Sequence, residues 1–148
     1  MQSIGALRDL ASFDRERIEH VVTVHNALRL AGNFVGMSQY YAEHAVLELL
    51  GDERHFHFAG LYEGRDEVVG AFRSMSIEIQ FISAEIQTLL IDGDNAMMRT
   101  KVHVRHHGTG ATHSHEIWDL FGFQQGLIVS QAKFIDINAL NRLRNGRN

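Results

Sequence analysis

Residues 112–137 hold two strand-forming runs separated by one short polar break, and no other stretch constrains the fold as tightly. The runs predict antiparallel strands over Thr112–Phe123 and Leu127–Ile137, joined at Gln124-Gln125-Gly126, where Gly supplies the positive φ that a tight hairpin turn often needs. Along the first strand His113, His115, Ile117, Asp119 and Phe121 share one face, and Thr112, Ser114, Glu116, Trp118 and Leu120 share the other. A carboxylate therefore lies between Ile117 and Phe121. On an enclosed face Asp119 is either a buried acid with a named partner or part of a site, because an unpaired buried charge is too costly to keep.

Composition narrows the classes the hairpin can belong to. With 148 residues, 45% of them hydrophobic, the chain fits one domain with a sizeable core and not a disordered segment. Lys plus Arg number 14 against 18 Asp plus Glu, for a formal charge of -4, and the only Arg-rich stretch is the short tail, so nucleic acid is an unfavourable partner. No apolar run approaches the roughly 20 residues of a membrane span, and the opening residues lack the charge and apolar pattern of a secretion signal, so the expectation is a cytoplasmic protein. No Cys is present, which excludes disulfides, thiolate nucleophiles and thiolate metal sites. Pro is also absent, and His is abundant at 10 residues.

Taken in order, residues 1–12 read as a short N-terminal arm, 13–143 as a single domain and 144–148 as a polar tail. From Asp14, a plausible N-cap, Ile18, Val21, Val22, Leu28 and Ala31 recur at helical spacing until Gly32 ends the run. His25 falls in that apolar stripe, so the helix turns it toward whatever the helix covers. Asn33 can cap a second helix reaching about Ala42, with Phe34, Met37 and Tyr41 as core residues. Ala45–Leu50 reads as a strand ending at Gly51-Asp52, and Glu53–Glu63 as a loop or short strand carrying His55 and His57 near the pocket mouth. Gly64-Arg65-Asp66 opens a third helix with Val68, Val69, Phe72 and Met75 on one stripe. After Ser76 strands take over: Ile77–Ile91, its pattern shifted midway as a bulge would shift it, then Ala96 to about His106, then the hairpin. Asn138–Leu143 closes as a short helix. Helices followed by long antiparallel strands predict an α+β fold, a curved sheet with three helices over its concave face.

Three stretches carry a family resemblance. Ala31-Gly32-Asn33 is followed by Tyr40-Tyr41-Ala42-Glu43-His44-Ala45, then by Gly60-Leu61-Tyr62-Glu63-Gly64-Arg65-Asp66. The last runs from Asp119-Leu120-Phe121-Gly122-Phe123 through Gly126-Leu127-Ile128-Val129 to Phe134-Ile135-Asp136. In order and spacing these resemble the nuclear-transport-factor-two-like superfamily, in its SnoaL-like and ketosteroid-isomerase-like branch, over roughly Arg15 to Leu143. The resemblance implies a cone of bent, mixed sheet and three helices around an apolar cavity, a cystatin-like α+β barrel, with dimers formed through the outer sheet face. It implies that Asp119 falls at the carboxylic-acid donor of an oxyanion hole and His25 at the tyrosine donor, while the general-base position is taken by Leu49. By resemblance to limonene-epoxide hydrolases, the acid and base positions fall near Val102 and Lys133, and the water-holding positions at Leu47 and Leu49. Neither mechanism carries over whole, and one cone serves many activities.

The same alignment, in agreement with the period-two pattern, turns Met98, Thr100, Val102, Val104 and His106 inward, with His113, His115, Ile117 and Asp119, and with Val129, Gln131, Lys133 and Ile135. Pairing around the Gly108–Gly110 turn then sets Thr100 opposite Asp119 and His106 opposite His113. Asp119 has two readings: a neutral donor to a developing oxyanion, as in the ketosteroid isomerase case of apolar-site pKa elevation, or the partner of Lys133 in an ion pair. His25 becomes an oriented acid or base if it reaches Asp119. His106, His113 and His115 invite a metal, but His113-Ser114-His115 lacks the spacing of a cupin signature, and no metal or cofactor is expected. The leading expectation is cofactor-independent acid/base chemistry, of the isomerase, cyclase or dehydratase class, on a small oxygenated hydrophobic molecule. Its catalytic pair is Asp119 and His25, and its pocket is Lys133, Thr100, Val102, His106, His115, Ile117, Gln131, Ile135 and Leu49. The alternatives are a non-catalytic ligand-binding module and a scaffold or dimerisation module of the same fold. Trp118, Leu120 and Phe134 on the outer face predict a homodimer.

Overall fold

The computed structural model describes residues 4–54 and 56–146, with the backbone alone for residues 4–13, 137 and 140. His55 and the outermost residues of the expected arm and tail lie outside that set. The chain runs α1 (Ile4–Ala31), α2 (Phe34–Ser38), β1 (Tyr41–Leu50), β2 (Gly60–Glu63), α3 (Arg65–Glu78), β3 (Ile79–Asp92), β4 (Asn95–His106), β5 (Thr112–Gln124), β6 (Leu127–Ile135) and α4 (Ile137–Arg144). The six strands form one sheet in the order β2-β1-β6-β5-β4-β3, antiparallel throughout except where β1 runs parallel to β6. This is the expected α+β class; α1, α2 and α3 are the three expected helices and α4 lies where the short closing helix is expected.

Local chemistry explains the boundaries. α1 stops where Gly32, at φ 71°, takes the left-handed conformation; its N–H returns to Arg29 O at 3.1 Å and the Asn33 N–H to Leu28 O at 2.9 Å, a Schellman closure. Asn33 then caps α2, its Oδ1 accepting from Gly36 N at 2.8 Å. α1 begins ten residues before the expected Asp14 cap, because Ala6, Leu7, Arg8, Leu10 and Ala11 favour helix and no Pro interrupts 4–13, so the helix takes in most of the expected arm. α2 is shorter than expected. Tyr41 already pairs with Ile128 of β6, and strand pairing overrides the helical reading of Gln39–Ala42. β6 ends at Ile135 and not Ile137, since Asp136 leaves the sheet to cap α4 by accepting from Ala139 N at 3.0 Å.

Register irregularities bend the sheet. β3 slips against β4 between Phe81 and Ser83 and again between Ile86 and Thr88, and β5 slips against β6 between Gly122 and Phe123. The last bulge turns Ile128 into the core and leaves Val129 only half-buried, reversing the expected facing at that end of β6. The expected β4–β5 pairing is off by two residues. Asp119 faces Met98 and His113 faces Val104, while Thr100 faces Ile117, because the turn is tighter and His106 N meets Ala111 O at 2.9 Å. A slip of two preserves side-chain facing, so Thr100, Val102, His115, Ile117 and Asp119 still point inward. α1 packs over β3 and α3 over β1, enclosing a core that includes Val21, Val22, Leu47, Leu49, Phe72, Val104 and Ile117.

Candidate active site

A single hydrogen-bonded chain of buried side chains crosses this core. It starts on α1, where His25 is 3% exposed and its Nε2 lies 2.7 Å from the Tyr41 hydroxyl on β1. The Tyr41 hydroxyl donates to Gln131 Oε1 on β6 at 2.5 Å, and Gln131 Nε2 donates to Asp119 Oδ1 on β5 at 2.9 Å. Lys133 Nζ donates to Asp119 Oδ2 at 3.0 Å and lies 2.9 Å from Oδ1. β5 and β6 set that ion pair directly, because Asp119 and Lys133 are cross-strand partners.

The donors fix the protonation pattern. Because Tyr41 gives its proton to Gln131, it receives one from His25, which makes His25 the Nε2–H tautomer and leaves Nδ1 as the ring's acceptor. Burial, then the charges of Lys133 and Arg29, push His25 down to about 3, so the imidazole is neutral. Burial likewise holds the Tyr41 hydroxyl well above its usual range. Both groups touching Asp119 are donors, the geometry of an ionised carboxylate in an ion pair and so the second of its two sequence readings. His25 and Asp119 are joined through Tyr41 and Gln131 and not by a bond of their own.

Two small adjoining cavities, each of about 30 Å³, open beside this chain. The inner one is lined by His25, Asp119, Lys133 and Thr100, with Arg29, Phe81, Met98, Val102 and Ile117 among its walls. The outer one runs past Phe56, Phe58, His115, Ile135 and Arg144, and the two share Arg29, Phe81, Ile117 and Lys133. The structure thus brings Lys133, Thr100, Val102, His115, Ile117 and Ile135 to the cavities with the Asp119 and His25 pair. Three expected pocket residues lie elsewhere. Leu49, 1% exposed, packs in the core beside Lys133 in the β1–β6 ladder. Gln131 bridges Tyr41 and Asp119 and lines neither cavity, and His106 is drawn off to Glu78, 3.3 Å from its Oε1.

Glu78 gathers the outer ring of charge. Arg144 Nε donates to it at 2.5 Å and His57 Nε2 lies at 3.2 Å, while Arg144 Nη2 reaches His57 Nδ1 at 2.9 Å. Burial raises the Glu78 carboxyl, but the Arg144 hydrogen bond and the surrounding positive charge outweigh it and hold it low. His113 takes a hydrogen bond from Arg142, and His115 is pushed down to about 4 by burial and by His113. Among the described residues no three His, Asp or Glu side chains converge as a metal would require.

Two residues of this site escape the sequence reading. A helical reading of Gln39–Ala42 hides that Tyr41 points at His25. Arg29 lies one helical turn after His25, and that i, i+4 spacing is signal enough to place both on one face.

The profile of the SnoaL-like domain family matches residues 20–131, and the chain belongs to that family. No curated protein matches in sequence. Among solved structures, a Bacillus subtilis protein provisionally named an isomerase superposes with a TM-score of 0.81 at 15% identity, covering 90% of this chain and 96% of that one. A ketosteroid-isomerase-like protein from Catenulispora acidiphila, crystallised with trimethylamine, gives 0.72 at 13% identity over 84% and 92%. A limonene-epoxide-hydrolase-like epoxide hydrolase from M. tuberculosis gives 0.70 at 14% identity over 88% and 92%. At such identities the likeness is one of fold. No helix among the described residues is long and apolar enough to cross a membrane.

Proposed function

We propose that this protein is an enzyme that moves a proton on a small, largely apolar, oxygen-bearing molecule, of the isomerase, cyclase or dehydratase kind. Asp119 carries the proton, Lys133 holds the negative charge that develops on the substrate oxygen, and His25 offers Nδ1 as a second acceptor. The supporting observation is the buried chain from His25 to Lys133 bordering a cavity whose remaining walls are mostly apolar. A site of this make-up lets a charge grow where water does not compete for it.

Asp119→Asn keeps the side-chain shape and removes the base. Across a panel of enone isomerisation, aldol cyclisation and dehydration substrates we expect the wild type to turn over at least one, and the variant to lose about 100-fold or more of that rate. An unchanged rate with a shifted melting temperature assigns Asp119 to structure alone. A second reading, a non-catalytic ligand-binding module, is favoured by Leu49, an apolar residue at the position the family resemblance gives to a general base; under it the whole panel is silent while ligands still bind. We also propose that the protein is a homodimer through the outer sheet face.

A further inference from the structure

Among the described residues the interior holds more positive than negative charge. Arg29 and Lys133 border both cavities and Asp119 is the one carboxylate lining either of them; Arg144, at the outer end, already has Glu78. With His25 neutral, one cation in the shared space is left without a counter-charge. That cation is Arg29. Its Nε is shielded from solvent with no hydrogen-bond partner, and its guanidinium is held by aromatic faces, 4.4 Å from the Phe81 ring centre and 5.2 Å from that of Phe72. Ring faces fix a guanidinium in place but accept none of its N–H groups in the plane of the fork, which is the direction a carboxylate fills.

Two further polar atoms point the same way. Thr100 Oγ1 on the inner cavity and His115 Nδ1 on the outer one are buried without partners, in side chains 3% and 9% exposed. Buried polar atoms are nearly always satisfied, so a guanidinium Nε, a hydroxyl and a ring nitrogen without partners along two adjoining cavities call for an occupant that supplies acceptors and some hydrogen-bond return. An enclosed cationic fork with little room selects a small planar anion over a tetrahedral dianion.

We propose that the ligand of this site is a short-chain carboxylate, bound where the two cavities meet, with its carboxylate on the Arg29 guanidinium and the Thr100 hydroxyl and its hydrocarbon against Phe81 and Ile117. This deepens the functional reading above by naming the substrate class, and it rests on that reading only for the chemistry after binding. Arg29 is thereby the group that selects for charge, and Asp119 and Lys133 are left to act on the remainder of the molecule.

The test compares acetate, butyrate and hexanoate with acetamide, butyramide and hexanamide, by titration calorimetry at fixed ionic strength, with inorganic phosphate as a third arm. We expect at least one carboxylate to bind roughly tenfold or more tightly than its amide, as a charge-assisted bond to a half-buried cation predicts, and phosphate to bind more weakly than that acid. Arg29→Met is expected to erase the preference. Thr100→Val, which removes an unpartnered hydroxyl at constant shape and so leaves the fold intact, is expected to weaken the carboxylate several-fold more than the amide. Amides binding as well as acids, phosphate matching the acids, or a preference surviving Arg29→Met each overturns the proposal; should that variant not fold, the wild-type comparison and Thr100→Val decide. Carboxylate binding without turnover sinks the enzymatic reading and leaves this one standing, whereas turnover of neutral substrates alone does the reverse.

Discussion

His25 shows what enclosure does to a single side chain. Its ring is edge-on to Tyr41, Phe72 and Phe121, with centroids 5.6, 5.9 and 5.9 Å away, and its pKa falls from 6.5 to about 3. The unfolded chain therefore binds a proton at this position between those two values while the folded chain does not. Stability contributed by keeping His25 neutral is complete above pH 6.5 and is lost as pH falls toward 3, at up to about 1.4 kcal/mol per pH unit. His115, lowered from 6.5 to about 4, acts in the same direction over the upper part of the same window, and the lowered Glu78 does so below the usual carboxylate range. Urea unfolding of His25→Gln between pH 7 and pH 4.5 should show a shallower loss of stability than the wild type, by close to one proton; equal slopes would mean that the ring is charged or hydrated in the fold. At this scale the sequence is readable where a residue's face follows from its own element. His25 falls in a helical stripe and Asp119 on an alternating strand, and both point inward. Tyr41 is not readable, because its role depends on β1 starting at residue 41, a fact set by β6 some ninety residues away.

The hairpin of β5 and β6 carries Asp119, Gln131 and Lys133 on one face, so its turn sets the register of the candidate site. Gln124 pairs with Leu127 across a two-residue loop in which both Gln125, at φ 53°, and Gly126, at φ 76°, are left-handed. That is the turn geometry matched to strand twist, and Asn-Gly satisfies it at lower cost than Gln-Gly, since Gln gains nothing locally for adopting a conformation of order 1 kcal/mol uphill. Gln125→Asn should raise stability by a few tenths to about 1 kcal/mol, read as a small increase in melting temperature with no change in ligand binding. A decrease would show that the Gln125 side chain makes a contribution the turn conformation does not reveal. The turn and both strands can be read from the sequence, whereas the β4–β5 register cannot. Counting across Gly108–Gly110 misplaces every pair by two, because the return at Ala111 depends on which backbone groups close the turn. The bulge at Gly122 escapes for a related reason: it is a property of two strands, and alternation along one of them does not show it.

For the molecule as a whole, the same two strands have an unfinished outer face. Trp118, Leu120 and Phe134 are 40%, 47% and 43% exposed; Trp118 pairs with Phe134 and Leu120 with Ala132, so together they form one apolar surface. Arg99 lies 5.7 Å from the Trp118 ring and Glu116 3.9 Å from Arg99, giving the patch a charged border of the kind that rims protein interfaces. In the proposed homodimer this placement would couple association to the proposed site. Trp118 and Leu120 flank Asp119 along β5, and Ala132 and Phe134 flank Lys133 along β6, so a second copy seated outside would hold from behind the strands that align the ion pair within. Trp118→Glu places a charge at the centre of that surface without touching the cavity. Sedimentation at micromolar concentration should find the wild type dimeric and the variant monomeric, with an unchanged circular dichroism spectrum. If the outer face supports the inner one, the monomer should also bind its ligand several-fold more weakly; a monomer with undiminished affinity would show that β5 and β6 hold Asp119 against Lys133 unaided, and a monomeric wild type would remove the interface itself.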